Sequence, residues 1–301
     1  MKPKILSVVG TNASGKSDLA VKLALHFNGE VISADSRQLY RGLDLGTGKL
    51  TIDEMQGVPH YMIDILDVNT MYSVVDYQRE VYRIIDDILS RGKLPIIAGG
   101  TGLYTRAVVK GYIFRDVPQN DELRERLETK TTEELYEELK NISEAAAARN
   151  TASNRRRIIR ALEKYYTIGE AGLEEGFEPR YEALQLGVTW PNEILHKRID
   201  ERMKRRFDQG MLEEVKELLR QGATGEFLEA LGLEYRYIYR YISGDYKTKD
   251  ELYEALGRAI KRFAKQQKTW FRKDQDIHWL TMDQQPFEEA VGLVENYLSE
   301  S

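Results

Sequence analysis

Gly10-Thr11-Asn12-Ala13-Ser14-Gly15-Lys16-Ser17 follows directly on the apolar run Ile5-Leu6-Ser7-Val8-Val9. The pattern G-x-x-x-x-G-K-S behind a predicted strand is a Walker A phosphate loop, and the amphipathic stretch Asp18 to Phe27 supplies the helix that must follow it. Backbone N–H groups of such a loop form a concave anion site at a helix N-terminus, where the helix dipole favours negative charge. Lys16 adds a point charge for a terminal phosphate, and the Ser17 hydroxyl suits Mg²⁺. The competing reading is a glycine turn that binds nothing, and the flanking strand and helix argue against it. The loop implies a bound diphosphate or triphosphate and is silent on what is done to it.

Outward from the loop, Glu30-Val31-Ile32-Ser33-Ala34 reads as a short strand ending at Asp35, and His60 to Ile65 as another. Tyr72 to Ser90 has apolar residues at helical spacing. Leu94-Pro95-Ile96-Ile97-Ala98 reads as a buried strand that Gly99-Gly100-Thr101-Gly102 turns into a helix. This alternation predicts an α/β fold, a P-loop NTPase-like parallel sheet flanked by helices. Ligands of such sheets bind at the carboxyl ends of the strands, where Ser14 to Ser17, Asp35 and Thr101 all fall. From Tyr112 the character changes. Asp121 to Ala148 and the basic stretch Asn150 to Tyr166 read as helices, and Gly169 to Glu178 as a mobile loop. Ala183 to Trp190 returns to strand character. The expected organisation is a core of residues 1–111 and 183–301 with a mainly helical insertion domain at 112–182. Glu193 to Gln209, Met211 to Gln221 and Lys249 to Asp274 read as helices of the core, and Ile277 to Leu280 as a last strand.

Of 301 residues, 42% are hydrophobic and 31% charged, which fits a globular, rather helical chain. Lys+Arg 44 against Asp+Glu 49 gives a net charge of −5. That counts mildly against a nucleic-acid partner, although local patches decide contact with phosphates. With no cysteine, disulfides and thiolate metal sites are excluded. No apolar stretch reaches the roughly 18 residues of a membrane span, and no signal-peptide core is seen, so a cytoplasmic protein is expected. None of the four histidines stands in zinc-site spacing.

The chemistry needs more than the loop. The strand ending at Ala98 leads into Gly99-Gly100-Thr101 with no acid, whereas the strand ending at Ala34 leads into Asp35. Asp35 is read as a general base on an acceptor or as a tuner of the metal's water shell, with a turn or helix-cap aspartate as the alternative. Arg258, Lys261, Arg262, Lys265, Lys268 and Arg272 recur every three or four residues, a stripe about 20 Å long on one helix face. That is either a rail for a phosphate backbone, with Trp270 and Phe271 stacking on bases, or a solvated face with core aromatics.

Taken in order along nearly the whole chain, these segments resemble the bacterial tRNA dimethylallyltransferases, also called tRNA isopentenyltransferases. The resemblance is carried by Gly10 to Ser17, Asp35-Ser36-Arg37-Gln38-Leu39-Tyr40-Arg41-Gly42, Gly46-Thr47-Gly48-Lys49, Pro59-His60, Ile63-Asp64, Tyr72-Ser73 with Asp76, and Gly99 to Tyr104. It continues through Arg157-Ile158-Ile159-Arg160-Ala161-Leu162-Glu163, Arg198-Ile199 and Lys265-Gln266-Gln267-Lys268-Thr269-Trp270-Phe271-Arg272. It implies a monomer that moves the prenyl group of dimethylallyl diphosphate, with Mg²⁺ on Ser17, to the exocyclic amine of the adenosine 3′ of the anticodon. It implies catalytic roles for Asp35 and Thr101 and a diphosphate held by Gly10, Thr11, Asn12, Ala13, Ser14, Gly15, Lys16 and Ser17. It further implies tRNA contacts, at the anticodon stem-loop, from Asp35, Ser36, Arg37, Gln38, Arg156, Arg157, Ile158, Ile159, Arg160, Lys265, Gln266, Gln267, Lys268 and Arg272.

The chain departs from the pattern at Thr11-Asn12, where Pro-Thr is common, at Gln266, where an arginine is usual, and at Gly232-Leu233-Glu234-Tyr235-Arg236, where G-Y-[KR] is usual. Three other functions compete: a prenyltransferase of free AMP or ATP, a P-loop kinase of a small metabolite, and an RNA-binding protein with a relict loop.

Overall fold

Ile5, Leu6, Val8 and Val9 are all fully buried, so the first strand is apolar on both faces, as a central parallel strand must be. The structure is a computed structural model that describes residues 2–115, 117–118, 120–284 and 286–300. The chain runs β1 (Lys4–Gly10), α1 (Lys16–His26), β2 (Gly29–Ser33), α2 (Ile52–Met55), β3 (His60–Tyr61), α3 (Val74–Ser90), β4 (Leu94–Gly99) and α4 (Gly102–Val109). There follow β5 (Tyr112–Ile113), α5 (Asp121–Glu128), α6 (Thr132–Ile142), α7 (Glu144–Arg149), α8 (Arg155–Ile168), a 3₁₀ turn (Gly169–Leu173) and β6 (Gly176–Phe177). The chain closes with β7 (Glu182–Thr189), α9 (Asn192–Asp208), α10 (Met211–Arg220), α11 (Gly225–Leu231), α12 (Leu233–Ile242), α13 (Lys249–Phe271), β8 (Ile277–Thr281) and α14 (Pro286–Ser299).

Among the described residues, six strands form one parallel sheet in the order β3-β2-β4-β1-β7-β8. The period of two along a strand sends alternate side chains to opposite layers. Leu6 and Val8 pack with Leu19, Leu23 and Val294 of α1 and α14. Ile5, Ile32 and Ile97 pack with Tyr77, Val81 and Ile85 of α3 and with the later helices. Each such fully buried side chain contributes roughly 1.5–3 kcal/mol. α3 starts where its sequence says it must: Ser73 Oγ accepts from Asp76 N at 3.1 Å, and Asp76 Oδ2 accepts from Ser73 N at 3.2 Å, a capping box.

Several expectations are corrected. The strand read over His60 to Ile65 stops at Tyr61, because Met62 and Asp64 take φ of 61° and 54° and leave the extended region. Gly169 to Glu178 is not a structureless loop. It forms the 3₁₀ turn and β6, which pairs antiparallel with β5. Phe271 is 4% exposed, packed with Val9 and Ile277, so it is a core side chain and not a base-stacking one.

Two compact units result, Met1–Gly111 with Pro179–Ser301, and Tyr112–Glu178. The second has its own core of Leu123, Leu127, Leu135, Leu139, Ile158, Ile159 and Leu162. Its buried Glu163 accepts from Asn120 N at 2.8 Å and from Arg124 Nε and Nη2 at 3.0 Å each, so the charge is matched.

At the sheet's amino edge, Glu30 is 1% exposed and accepts from Arg91 Nη1 and Nη2 at 2.6 and 2.7 Å, Lys93 at 2.6 Å and Tyr61 OH at 2.8 Å. The Arg91 bonds overcome burial and pull its carboxyl down to about 2. A folded value below the unfolded one contributes stability at neutral pH that is lost as the solution is acidified. Glu30→Gln is therefore expected to cost about 3 kcal/mol at pH 7 and about half of that at pH 3. Urea unfolding at both pH values measures this, and an equal deficit at both contradicts it.

Candidate active site

In the sheet order, β4 lies between β1 and β2, and all three run in one direction. Their carboxyl ends therefore share one edge at about 4.8 Å spacing. The phosphate loop leaves β1, Gly99-Gly100-Thr101 leaves β4, and Asp35 follows β2. The packing is close. A Cβ on Gly99 would stand 2.2 Å from Ala34 O, and one on Gly100 would stand 3.6 Å from Lys16 Cε. Thr101 N donates to Ala34 O at 3.0 Å, and Thr101 Oγ1 accepts from Ser36 N at 3.1 Å. Thr101 is thus tied to the segment after β2, and Gly100 before it stands against the loop lysine, while neither Thr101 nor Asp35 lines the cavity over the loop.

The loop is built to turn its amides inward. Ala13 and Gly15 take φ of 61° and 91°, and no side chain caps α1 at Gly15. The first-turn N–H groups therefore point at the space an anion would fill. The loop's carbonyls are tied down on the other side: Trp190 Nε1 donates to Ser14 O at 2.9 Å and Arg198 Nε to Ala13 O at 3.0 Å. Lys16 Nζ donates to Thr11 O at 3.3 Å, and the Asn12 amide donates to Gln267 Oε1 at 2.9 Å. Gly10 ends β1 beneath the loop, in register with Val188.

A cavity of about 500 Å³ opens over Ala13, Ser14, Gly15, Lys16 and Ser17. Its opposite wall is α9, which presents Arg198, Arg202, Arg205 and Arg206 at helical spacing. Burial lowers Lys16 to about 8, with Asp35 opposing the shift and Arg202 and Arg206 adding to it. Burial likewise lowers Arg202 to about 9, with Arg206 beside it. Asp18, Asp44, Glu54 and Glu201 also line the cavity, with Asp44 paired to Lys49 and Glu201 to Lys197, and a polyanion would relieve the desolvated Lys16 and Arg202. These α9 arginines were missed in the sequence reading, where only Arg198 entered, as part of a family match. The signal was present, since Arg198, Arg202, Arg205 and Arg206 recur at three- and four-residue spacing in a segment already read as helical.

Asp35 is half-buried, and its Oδ1 accepts from Arg37 N at 3.0 Å, an Asx turn that uses one carboxylate oxygen. Its charge reaches Lys16. Gln38 Oε1 accepts from Ser33 Oγ at 2.8 Å. Arg37 Nε donates to Leu231 O at 2.8 Å, and its guanidinium lies 5.4 Å from the Phe263 ring centroid. Arg37 lines a second, open groove of about 300 Å³ with Arg236, Tyr237, Arg262, Phe263 and Gln266. Arg236 itself donates to Glu229 O at 2.8 and 2.7 Å, which holds it at the groove's edge.

The α13 stripe divides. Lys261 pairs with Asp200 at 2.7 Å, Arg258 with Glu254 at 3.3 Å, and Lys268 donates to Asn192 Oδ1 at 3.0 Å. Lys265, Gln266 and Arg272 are exposed. Gln267 is 7% exposed with both amide ends used, one on Asn12 N and the other donated to Gly100 O at 2.9 Å. It is a bracket that joins the phosphate loop to the β4 turn, and it does not face outward with its neighbours. In the Tyr112–Glu178 unit, Arg156 and Arg157 are exposed on α8, and Arg160 bonds Glu163 and donates to Val117 O at 2.8 Å. Ile158 and Ile159 are 0% and 5% exposed core residues, which corrects their expected contact with RNA.

Among the described residues, no three acidic or histidine side chains form a metal cluster. Ser17 lines the cavity beside Lys16. A hydroxyl with the oxygens of a bound diphosphate and water is a donor set that suits Mg²⁺.

Residues 38–274 match the family model described as IPP transferase. The chain is 40% identical to a tRNA dimethylallyltransferase of Anoxybacillus flavithermus, over 99% of this chain and 97% of that one. It is 42% identical to one from Thermomicrobium roseum, over 93% and 87%. Among solved structures it is similar to the full-length tRNA isopentenylpyrophosphate transferase of Bacillus halodurans, with TM-score 0.75, 35% identity, and 99% and 96% coverage. It is also similar to a eukaryotic dimethylallyltransferase solved acting on tRNA, with TM-score 0.85, 25% identity, and 99% and 80% coverage.

Proposed function

The chain belongs to the IPP transferase family, and from that premise we propose that it transfers the dimethylallyl group of dimethylallyl diphosphate to the exocyclic amine of the adenosine 3′ of the anticodon in tRNA. The observation that carries this reading is the cationic cavity between the phosphate loop and α9, with Asp35 and Thr101 at the neighbouring strand ends.

In the reaction the C1–O bond of the donor breaks, the diphosphate leaves with the electron pair, and the adenine nitrogen bonds to C1. The loop amides, Lys16 and Arg202 stabilise charge that builds on the leaving oxygens, in a buried space where such interactions are strong. Ser17, with oxygens of the diphosphate, would hold a divalent ion, which would supply further neutralisation of the leaving group. The exocyclic amine is a weak nucleophile because its lone pair is delocalised into the ring. Asp35 accepts the proton it loses as the new bond forms. Thr101 Oγ1 accepts from Ser36 N and donates to Ser36 Oγ at 3.4 Å, a long bond that its proton can leave for a donor oxygen or the adenine. The target base leaves the loop stack to reach this edge, as in other enzymes that modify bases. The groove of Arg37, Arg236 and Arg262 with Phe263 and Tyr237 combines phosphate-binding cations with stacking faces and suits nucleotides beside the target. Exposed Lys265, Arg272, Arg156 and Arg157 serve the phosphate backbone.

Labelled dimethylallyl diphosphate, Mg²⁺ and an unmodified anticodon stem-loop test the reading. Label is expected in the RNA at the adenosine and not in AMP offered in competition. Label in AMP alone points to the free-nucleotide reaction, and label in neither contradicts prenyl transfer.

A further inference from the structure

Glu234 is an acid in the interior, 3% exposed, in the segment where the chain leaves the family's G-Y-[KR] pattern. Its Oε1 lies 3.6 Å from Arg206 Nη1 and its Oε2 lies 3.9 Å from Arg37 Nη1. Both separations are ion-pair contacts without hydrogen bonds, and Oε2 is buried with no hydrogen-bond partner. Arg206 is 8% exposed, its Nη1 makes a long bond to Gly46 O at 3.4 Å, and its guanidinium packs against Gly48, where a Cβ would stand 1.6 Å from Nη2. Arg202 and Arg206 line a small cleft with Glu234 and also line the phosphate-loop cavity. A guanidinium held this loosely on one side, and facing an anion site on the other, is placed to change partners.

We propose that Glu234 is the resting counter-ion of Arg206, matching its charge while the donor is absent and giving it up to the diphosphate when it enters, so that Glu234, which stays paired with Arg37, acts as a positioning residue that sets donor affinity. This rests on the reading of the cavity as a diphosphate site. The charge relations agree with it. Burial lowers the Arg206 guanidinium, and the Glu234 carboxylate beside it opposes that shift.

Inorganic pyrophosphate titrated calorimetrically into the full chain, with thermal unfolding of the ligand-free protein, separates the outcomes. Glu234→Gln is expected to melt lower without ligand, because Arg206 and Arg37 lose their shared anion. It is expected to bind pyrophosphate about three- to tenfold tighter, because the competing charge is gone. Glu234→Asp, which keeps the charge, is expected within about twofold of wild type. A merely structural glutamate would lower stability and affinity together, so unchanged or weaker binding by Glu234→Gln overturns the proposal. A wild-type chain that binds no pyrophosphate overturns instead the diphosphate reading beneath it. Should Glu234→Gln not fold, Arg206→Gln is titrated with pyrophosphate instead, and binding about three- to tenfold weaker than in the wild type is expected because the guanidinium that would pass to the anion is gone, whereas wild-type affinity overturns the proposal.

Discussion

Asp35→Asn is expected to lower kcat by about 10²–10⁴ while leaving pyrophosphate binding as tight as in the wild type or tighter. The amide keeps the size and the Asx-turn acceptor that holds Arg37 N, so the β2 end keeps its shape. What is lost is the group proposed to take the amine's proton. Binding of the leaving group is spared because Asp35 opposes an anion and does not hold one; its charge acts on Lys16. Single-turnover rates with a stem-loop RNA, beside calorimetric pyrophosphate affinity, measure the two effects. Wild-type turnover removes Asp35 from the chemistry, and a collapse of pyrophosphate binding makes it a structural residue of the loop.

Lys16→Met is expected to lower kcat/KM for the donor by about 10²–10³, with a smaller change in KM for RNA. The methionine keeps the length and apolar stem that packs near Gly100 and removes only the charge. Lys16 and the α9 arginines act on the same anion in a desolvated space, so their losses are not additive. An equal loss for RNA and donor would mean that the substitution disturbed the strand edge as a whole.

Much of this site is legible in the sequence because it lies in short contiguous signals. The loop from Gly10 to Ser17 needs glycine and a left-handed φ at fixed offsets, and Asp35 and Thr101 follow apolar runs that only a buried parallel strand explains. The start of α3 is written in Ser73 and Asp76. What was not legible depends on long-range packing. Gln267 stands among exposed neighbours in the sequence, yet the pitch of α13 turns it alone toward Asn12 and Gly100. Ile158 and Ile159 were read with the arginines that flank them, although two adjacent isoleucines on a helix mark its buried side. Met62 and Asp64 end a strand through backbone angles that neither residue type favours. Glu234 looks like any surface glutamate of a charged helix until the arginines of α9 and Arg37 are placed around it.

The measurement that bears most directly on the account is a crystal structure of the chain with pyrophosphate and Mg²⁺. The anion is expected over the amides of Ala13 to Ser17, in contact with Lys16 and Arg202, with the metal on Ser17 and the Asp35 carboxylate and Thr101 hydroxyl facing the vacated side of the anion. Pyrophosphate bound elsewhere, or bound in the loop with Asp35 turned away from it, contradicts the account.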